Sequence, residues 1–139
     1  HFVDLLRFLT GSEITFSQAR CIKRNNNNQV DTASITLGFA DGSVGSILYF
    51  ANGNPSFPKE RIEVFVAGKI LQIDNFRKLK SYGWKGLNNI YLWKQDKGQE
   101  NCAAAFINSI KSNQPAIPVN EIFEVARVCI DLSKQLRSQ

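Results

Sequence analysis

The 139-residue chain has no methionine, one histidine and three cysteines. Each scarcity removes a class of function. The single histidine, His1, cannot build a histidine-rich metal site. Cys21, Cys102 and Cys129 are odd in number and lack CxxC spacing, which argues against a structural zinc or a disulfide framework. We expect no metal, and a reducing cytoplasm is the expected compartment. No run approaches the roughly 18 apolar residues of a membrane span, and the first residues lack a signal peptide's basic segment and cleavage site. No membrane partner is expected. There is also no GxGxxG after a strand, no P-loop, no HExxH and no GxSxG, so the chain has no cofactor fingerprint of its own. With no initiating methionine, it reads as part of something longer.

What is present suits one globular domain. Apolar residues make up 43% of the chain, enough for a single core at this length. Seventeen Lys and Arg face 12 Asp and Glu, a formal charge of +5. That raises the question of an anionic partner. The basic residues are spread along the sequence, and Arg77 to Lys80 alternates charge with apolar residues as a half-exposed strand does. A solvated face is the preferred reading, and nucleic acid is not an expected partner.

Phe2, Leu5, Leu6 and Leu9 recur at helical spacing and Gly11 ends the helix. Ile14 to Arg24 is strand-like, and Asn25 to Gln29 is a polar loop. Ala33, Ile35, Leu37 and Phe39 alternate with small polar residues, Asp41-Gly42 follows, and Val44 to Phe50 resumes the strand pattern, so the spacing predicts a β-hairpin. Ala51 to Glu60, with two prolines, is an exposed connection of the length that often carries function. Strands are then expected over 61–67, 69–74, 78–82 and 90–94. Helices follow from Gly98 and, with Asn120 as N-cap, through Ile122, Ala126, Cys129, Ile130 and Leu136. Cys102 and Cys129 read as small core residues on or beside apolar helix faces.

This order is an α+β pattern, an open and mostly antiparallel (mixed) sheet with helices on one face. Val44, Leu48 and Phe50 cannot share a side with Ile47 and Tyr49. The other face is therefore apolar too, and is expected to be available for dimerisation.

The run His1-Phe2-Val3-Asp4-Leu5, then Phe39 to Gly45 in a hairpin, Arg61 to Val64 leading to Gly68 to Leu71, and Asp74-Asn75-Phe76, resembles the C-terminal domain of the Gfo/Idh/MocA oxidoreductases, the glucose-fructose oxidoreductase and inositol dehydrogenase relatives. Asp96 to Gln99 and Pro118, each ahead of a helix, continue the likeness, so it covers the whole chain in order. No single motif is specific, but their order is. The opening and the 68–84 run are also similar to proteins in which a zinc-alcohol-dehydrogenase-like half precedes this one. That variant favours nucleotide sugars over free sugars.

The resemblance implies that residues 1–139 form a substrate-binding and dimerisation domain. The Rossmann domain that binds NAD or NADP would lie outside the chain, and no cofactor is expected on this part alone. It implies action on a hydroxyl of a sugar, nucleotide sugar or cyclitol, with His1 as proton acceptor. Asp4, one helical turn on, would bind substrate hydroxyls or orient His1; otherwise it is a carboxylate favoured at a helix start. By itself the chain is expected to be inactive. Asn54, Lys59 and Lys97 are within the sequence's reach of a substrate phosphate, with plain exposure the simpler reading. Trp84 and Trp93 read as packing residues rather than ring-stacking platforms. The alternative is a non-enzymatic basic α+β module for binding or oligomerisation.

Overall fold

A computed structural model describes residues 1–21 and 31–139. The end of the first expected strand, 22–24, and the loop 25–29 lie outside the described residues. The described chain divides into two compact units, His1–Gly53 with Ile117–Gln139, and Asn54–Ala116.

The first unit holds α1 (Phe2–Thr10), β1 (Ile14–Cys21), β2 (Thr32–Phe39), β3 (Val44–Phe50) and α3 (Val119–Arg137). Its strands form one antiparallel sheet in the order β1-β2-β3. The period-2 pattern of β2 places Ala33, Leu37 and Phe39 in the core with Ile47 from β3 and Ala19 from β1. Val3 of α1 and Leu132 of α3 close over them, so both helices pack on one face of the sheet. α1 comes close at Gly45, where a Cβ would stand 2.8 Å from Leu6 Cδ1 and oblige that side chain to shift. Across the sheet Val44, Leu48 and Phe50 are exposed, as their parity requires. The β2–β3 hairpin closes through a turn in which Gly42 takes φ 86°, the positive value expected of Asp-Gly. Asp41 accepts hydrogen bonds from the Ser43 N–H and hydroxyl, both at 2.9 Å.

Two polar devices fasten α3. Arg7, buried on α1, donates from Nε to both carboxylate oxygens of Glu124 at 3.2 and 3.1 Å and lies 3.6 Å from Glu121. Glu124 Oε1 also accepts the Ile14 N–H at 2.6 Å, so one carboxylate joins α1, α3 and β1. Further along, α3 and the residue that follows its C-cap serve the free edge of β1 as a neighbouring strand would. The Gln135 side chain accepts from the Ala19 N–H (2.8 Å) and donates to the Ser17 carbonyl (3.3 Å). Gln139 accepts from the Cys21 N–H (3.1 Å) and donates to the Ala19 carbonyl (2.8 Å). An open edge that could template aggregation is thereby closed.

The second unit holds β4 (Arg61–Val66), β5 (Lys69–Asp74), β6 (Lys78–Tyr82), β7 (Ile90–Tyr91) and α2 (Gln99–Ser112). Its strands make a second antiparallel sheet in the order β4-β5-β6-β7. The expected α+β class and open sheet hold, and the pairing divides the strands into two ladders, with 51–60 and its prolines standing between β3 and β4. The last expected strand shortens to Ile90–Tyr91.

Two local expectations are corrected. The N-cap of α3 is Pro118, not Asn120: its carbonyl accepts from the Glu121 and Ile122 N–H groups, and the proline ring fixes the turn into the helix. Cys102 is exposed on α2, which buries none of its residues, while Cys129 does pack against the core.

Breaking the Arg7–Glu124 pair leaves a carboxylate in a half-dry site. Arg7→Ala is expected to lower the unfolding free energy by about 3 kcal/mol in urea titrations, and a loss under about 1 kcal/mol would show that the pair does not hold the helices. The Ser43 N–H, and then its hydroxyl, hold the Asp41 carboxyl below its ordinary value of 3.8. A group whose folded pKa is depressed stabilises the fold above its unfolded pKa and loses that contribution as pH falls through the folded value. Stability of wild type and Asp41→Asn is therefore expected to converge as pH drops below about 4; a constant gap from about pH 6 to 2 would contradict this.

Candidate functional site

His1 stands at the N-cap of α1, its carbonyl accepting the Leu5 N–H at 2.9 Å. It lines an open cleft of about 260 Å³ in the first unit, together with Phe2, Val3, Ala33, Ile35, Ile47, Tyr49 and Leu136. The same alternation that buries Ile47 brings Tyr49, two residues on, to the cleft side of β3. The site is thus an apolar trough with one imidazole and one phenol. A proton acceptor and a hydrogen-bonding hydroxyl in such a setting can orient and deprotonate an alcohol. Asp4 lies in the first turn of α1, three residues after His1 and exposed to solvent. Helical spacing sets the two on neighbouring positions of one side.

Asn54 and Lys97 belong to the second unit, and each is engaged there. Asn54 Oδ1 accepts from the Ser56 N–H (2.9 Å) and hydroxyl (2.8 Å), shaping the loop. The Lys97 ammonium is 2.6 Å from Glu60 Oε1 and 5.8 Å from the centre of the Phe76 ring. Phe76 and Asn75 both adopt positive φ, 48° and 51°, an expensive conformation for a bulky side chain. Bonds from neighbouring segments impose it: Gln95 Nε2 donates to the Asn75 carbonyl and Oδ1, and the Asp96 N–H donates to the Phe76 carbonyl. Glu60 Oε2 is buried without a hydrogen-bond partner. Trp84 is half-buried with Lys69 Nζ 4.8 Å from its ring centre, whereas Trp93 is 88% exposed and so is no packing residue.

Sequence reasoning singled out neither Tyr49 nor Glu60 as a site residue. The strand parity of Tyr49 with Ile47 carried the signal for the first. For Glu60 there was none, because its partner lies 37 residues away.

Among the described residues no three His, Cys, Asp or Glu side chains are grouped to hold a metal ion, and no helix is long and apolar enough to cross a membrane. The glycines do not fit a dinucleotide's phosphates either. None lies in a glycine-rich turn from a strand directly into a helix, the arrangement such phosphates require.

No family model and no curated protein matches the sequence. Solved structures do match by shape. UDP-N-acetylglucosamine 3-dehydrogenase GnnA from Acidithiobacillus ferrooxidans aligns with a TM-score of 0.80 at 18% identity, over 99% of this chain and 45% of that one. The dehydrogenase MviM from Clostridium difficile gives 0.76 at 22%, over 96% and 45%. The WlbA dehydrogenase from Bordetella pertussis, in complex with NADH and UDP-GlcNAcA, gives 0.58 at 21%, over 99% and 40%. The chain therefore has the fold of a part of these dehydrogenases and spans less than half of their length. The resemblance to the C-terminal domain of the Gfo/Idh/MocA oxidoreductases holds at the level of fold.

The Lys97–Glu60 pair generates its own test. Lys97→Ala leaves a largely buried carboxylate with neither oxygen satisfied, and is expected to cost about 2 kcal/mol in thermal or urea unfolding, with Lys97→Arg recovering part of it. An unchanged midpoint for Lys97→Ala would mean that the pair contributes nothing.

Proposed function

We propose that residues 1–139 are the substrate-binding and oligomerisation domain of an NAD(P)-dependent oxidoreductase of the Gfo/Idh/MocA type. It would act on a hydroxyl of a sugar and, more narrowly, of a nucleotide sugar. The observation that carries this reading is the likeness over 99% of the chain to under half of a sugar-nucleotide dehydrogenase, together with His1 in the lining of the cleft.

In this reading His1 accepts the proton of the reacting hydroxyl. Imidazole, with an ordinary pKa near 6.5, takes and returns a proton close to neutrality. Asp4 binds a substrate hydroxyl or fixes the ring of His1. The trough beside them offers apolar surface to the carbon that is oxidised. Glu60 and Ser56 already engage Lys97 and Asn54, so the chemistry rests on His1 and Asp4. The hydride acceptor, NAD or NADP, would be held by a dinucleotide domain that this chain does not contain. The domain pairs through the outer face of the first sheet, where Val44, Leu48 and Phe50 expose apolar surface in a unit of zero formal charge.

The test is a dehydrogenase assay on this chain joined to its dinucleotide domain, with both cofactors and a panel of sugars and UDP-sugars. His1→Asn is expected to lower kcat by about 100- to 10,000-fold with little change in KM. A kcat within threefold of wild type would remove His1 from the reaction, and no turnover of any hydroxylated sugar by the wild type would sink the reading.

A further inference from the structure

The formal charge of the chain is not shared between its units. Residues 54–116 carry ten Lys and Arg against five Asp and Glu, and the remainder carries seven against seven, so the whole +5 sits on the second unit. The register of the second sheet then decides where part of it points. Residues directly opposite one another in an antiparallel ladder share a face. Ile62, Ile73, Leu79 and Ile90 therefore fall on one side with Val64 and Leu71. The other side presents three rows: Arg61, Asp74, Lys78 and Tyr91; then Glu63, Gln72 and Lys80; then Phe65, Ile70 and Tyr82.

This second face is open. Phe65, Tyr82 and Tyr91 are 69%, 50% and 62% exposed, and Lys78 is exposed beside them. Asp74 gives its carboxylate to Arg61 at 2.8 Å, and Lys78 and Lys80 make no salt bridge among the described residues. Along β6 the side chains at 78, 80 and 82 project together, spanning about 13 Å. Two unpaired ammonium groups are thus followed on one line by an aromatic ring that Ile70 and Phe65 widen into an apolar platform. The same face of a second copy is a poor occupant, because it would set one basic unit against another. A ligand with a flat ring at one end and adjoining anionic groups answers both halves of the surface.

We propose that this face of the β4-β5-β6-β7 sheet binds a nucleoside diphosphate, its base stacked on Tyr82 and Phe65 and its phosphates on Lys80 and Lys78. The site rests on register, exposure and charge in the second unit, independently of His1. It would give a nucleotide sugar or a dinucleotide cofactor a foothold on this chain.

The experiment is a calorimetric titration of the 139-residue chain with UDP, ADP, inorganic pyrophosphate and thymidine oligonucleotides of two to ten residues. UDP or ADP is expected to bind at least tenfold more tightly than pyrophosphate. Tyr82→Ala should weaken that binding by about 5- to 100-fold, Tyr82→Phe should retain it, and Lys78→Gln with Lys80→Gln should weaken it at least tenfold and flatten its salt dependence. Lys78 and Tyr82 are exposed and Lys80 is half-buried, and unfolding midpoints of the variants check that the fold is intact. A preference for UDP names the nucleotide sugar as the source of the ligand, and one for ADP names the cofactor. Binding no tighter than pyrophosphate, binding indifferent to the Lys or Tyr substitutions, or affinity that climbs with oligonucleotide length would each overturn the proposal. Since none of these arms measures turnover, a failure here leaves the role of His1 standing, and a failure of His1→Asn leaves this site standing.

Discussion

A single carboxylate, Glu124, decides how the first unit is put together. Both its oxygens share the Nε–H of a buried arginine on one helix, and one of them takes a backbone N–H at the start of an edge strand, while the residue rides on a second helix. Apolar burial by Val3, Leu37, Phe39 and Leu132 supplies the driving force, but burial is indifferent to small slides of a helix along a sheet. Directional, charge-assisted bonds are not. The orientation of α1, and with it the position of His1 over the inner face of β2 and β3, follows from that one point of convergence.

The second unit is held differently. Its sheet relies on hairpins, on exposed or half-exposed ion pairs and on a costly turn at Asn75-Phe76 clamped by Gln95 and Asp96. Its helix α2 buries nothing within the unit. The two parts also differ in electrical character, one neutral and apolar on its open sheet face, the other strongly basic. In the proposed enzyme the neutral face suits association with a copy of itself and the basic one suits an anion, so the division of charge parallels a division of labour.

Much of this could be seen in the sequence because it is local. The 3.6-residue rhythm of Phe2 to Leu9, the alternation from Ala33 to Phe39 and the Asp-Gly turn each declare their structure within ten residues. The ordered resemblance gave the fold and His1 together. What stayed hidden is long-range or one of register. Arg7 meets Glu124 across 117 positions, and Lys97 meets Glu60 across 37. Lys78, Lys80 and Tyr82 could be seen to alternate, but only the pairing of β6 with β7, and through β5 with β4, shows that Tyr91 and Phe65 join them. Pro118 displaced Asn120 as the cap because a backbone carbonyl, not a side chain, received the first helical N–H groups.

The seam between α3 and β1 carries one last consequence. Glu124 and Gln135 of α3 meet Ile14 and Ala19 of β1, eleven helical residues set against five in the strand, and Gln139, two residues past the end of the helix, meets Cys21. At about 1.5 Å per residue in a helix and about 3.3 Å in a strand, the helical interval is roughly 16.5 Å by either measure, the strand's being a little shortened by the register shift between Ile14 and Phe16. Helix and strand thus behave as two rulers of different pitch whose marks coincide at two places, with Gln139 as a third fastening just past the helix end. Single substitutions leave such a vernier readable, but one residue inserted between Glu124 and Gln135 turns the later marks by about 100° and uncouples them together. Evolutionary changes of length in this unit should therefore gather in its turns and stay out of the two stretches that are measured against each other.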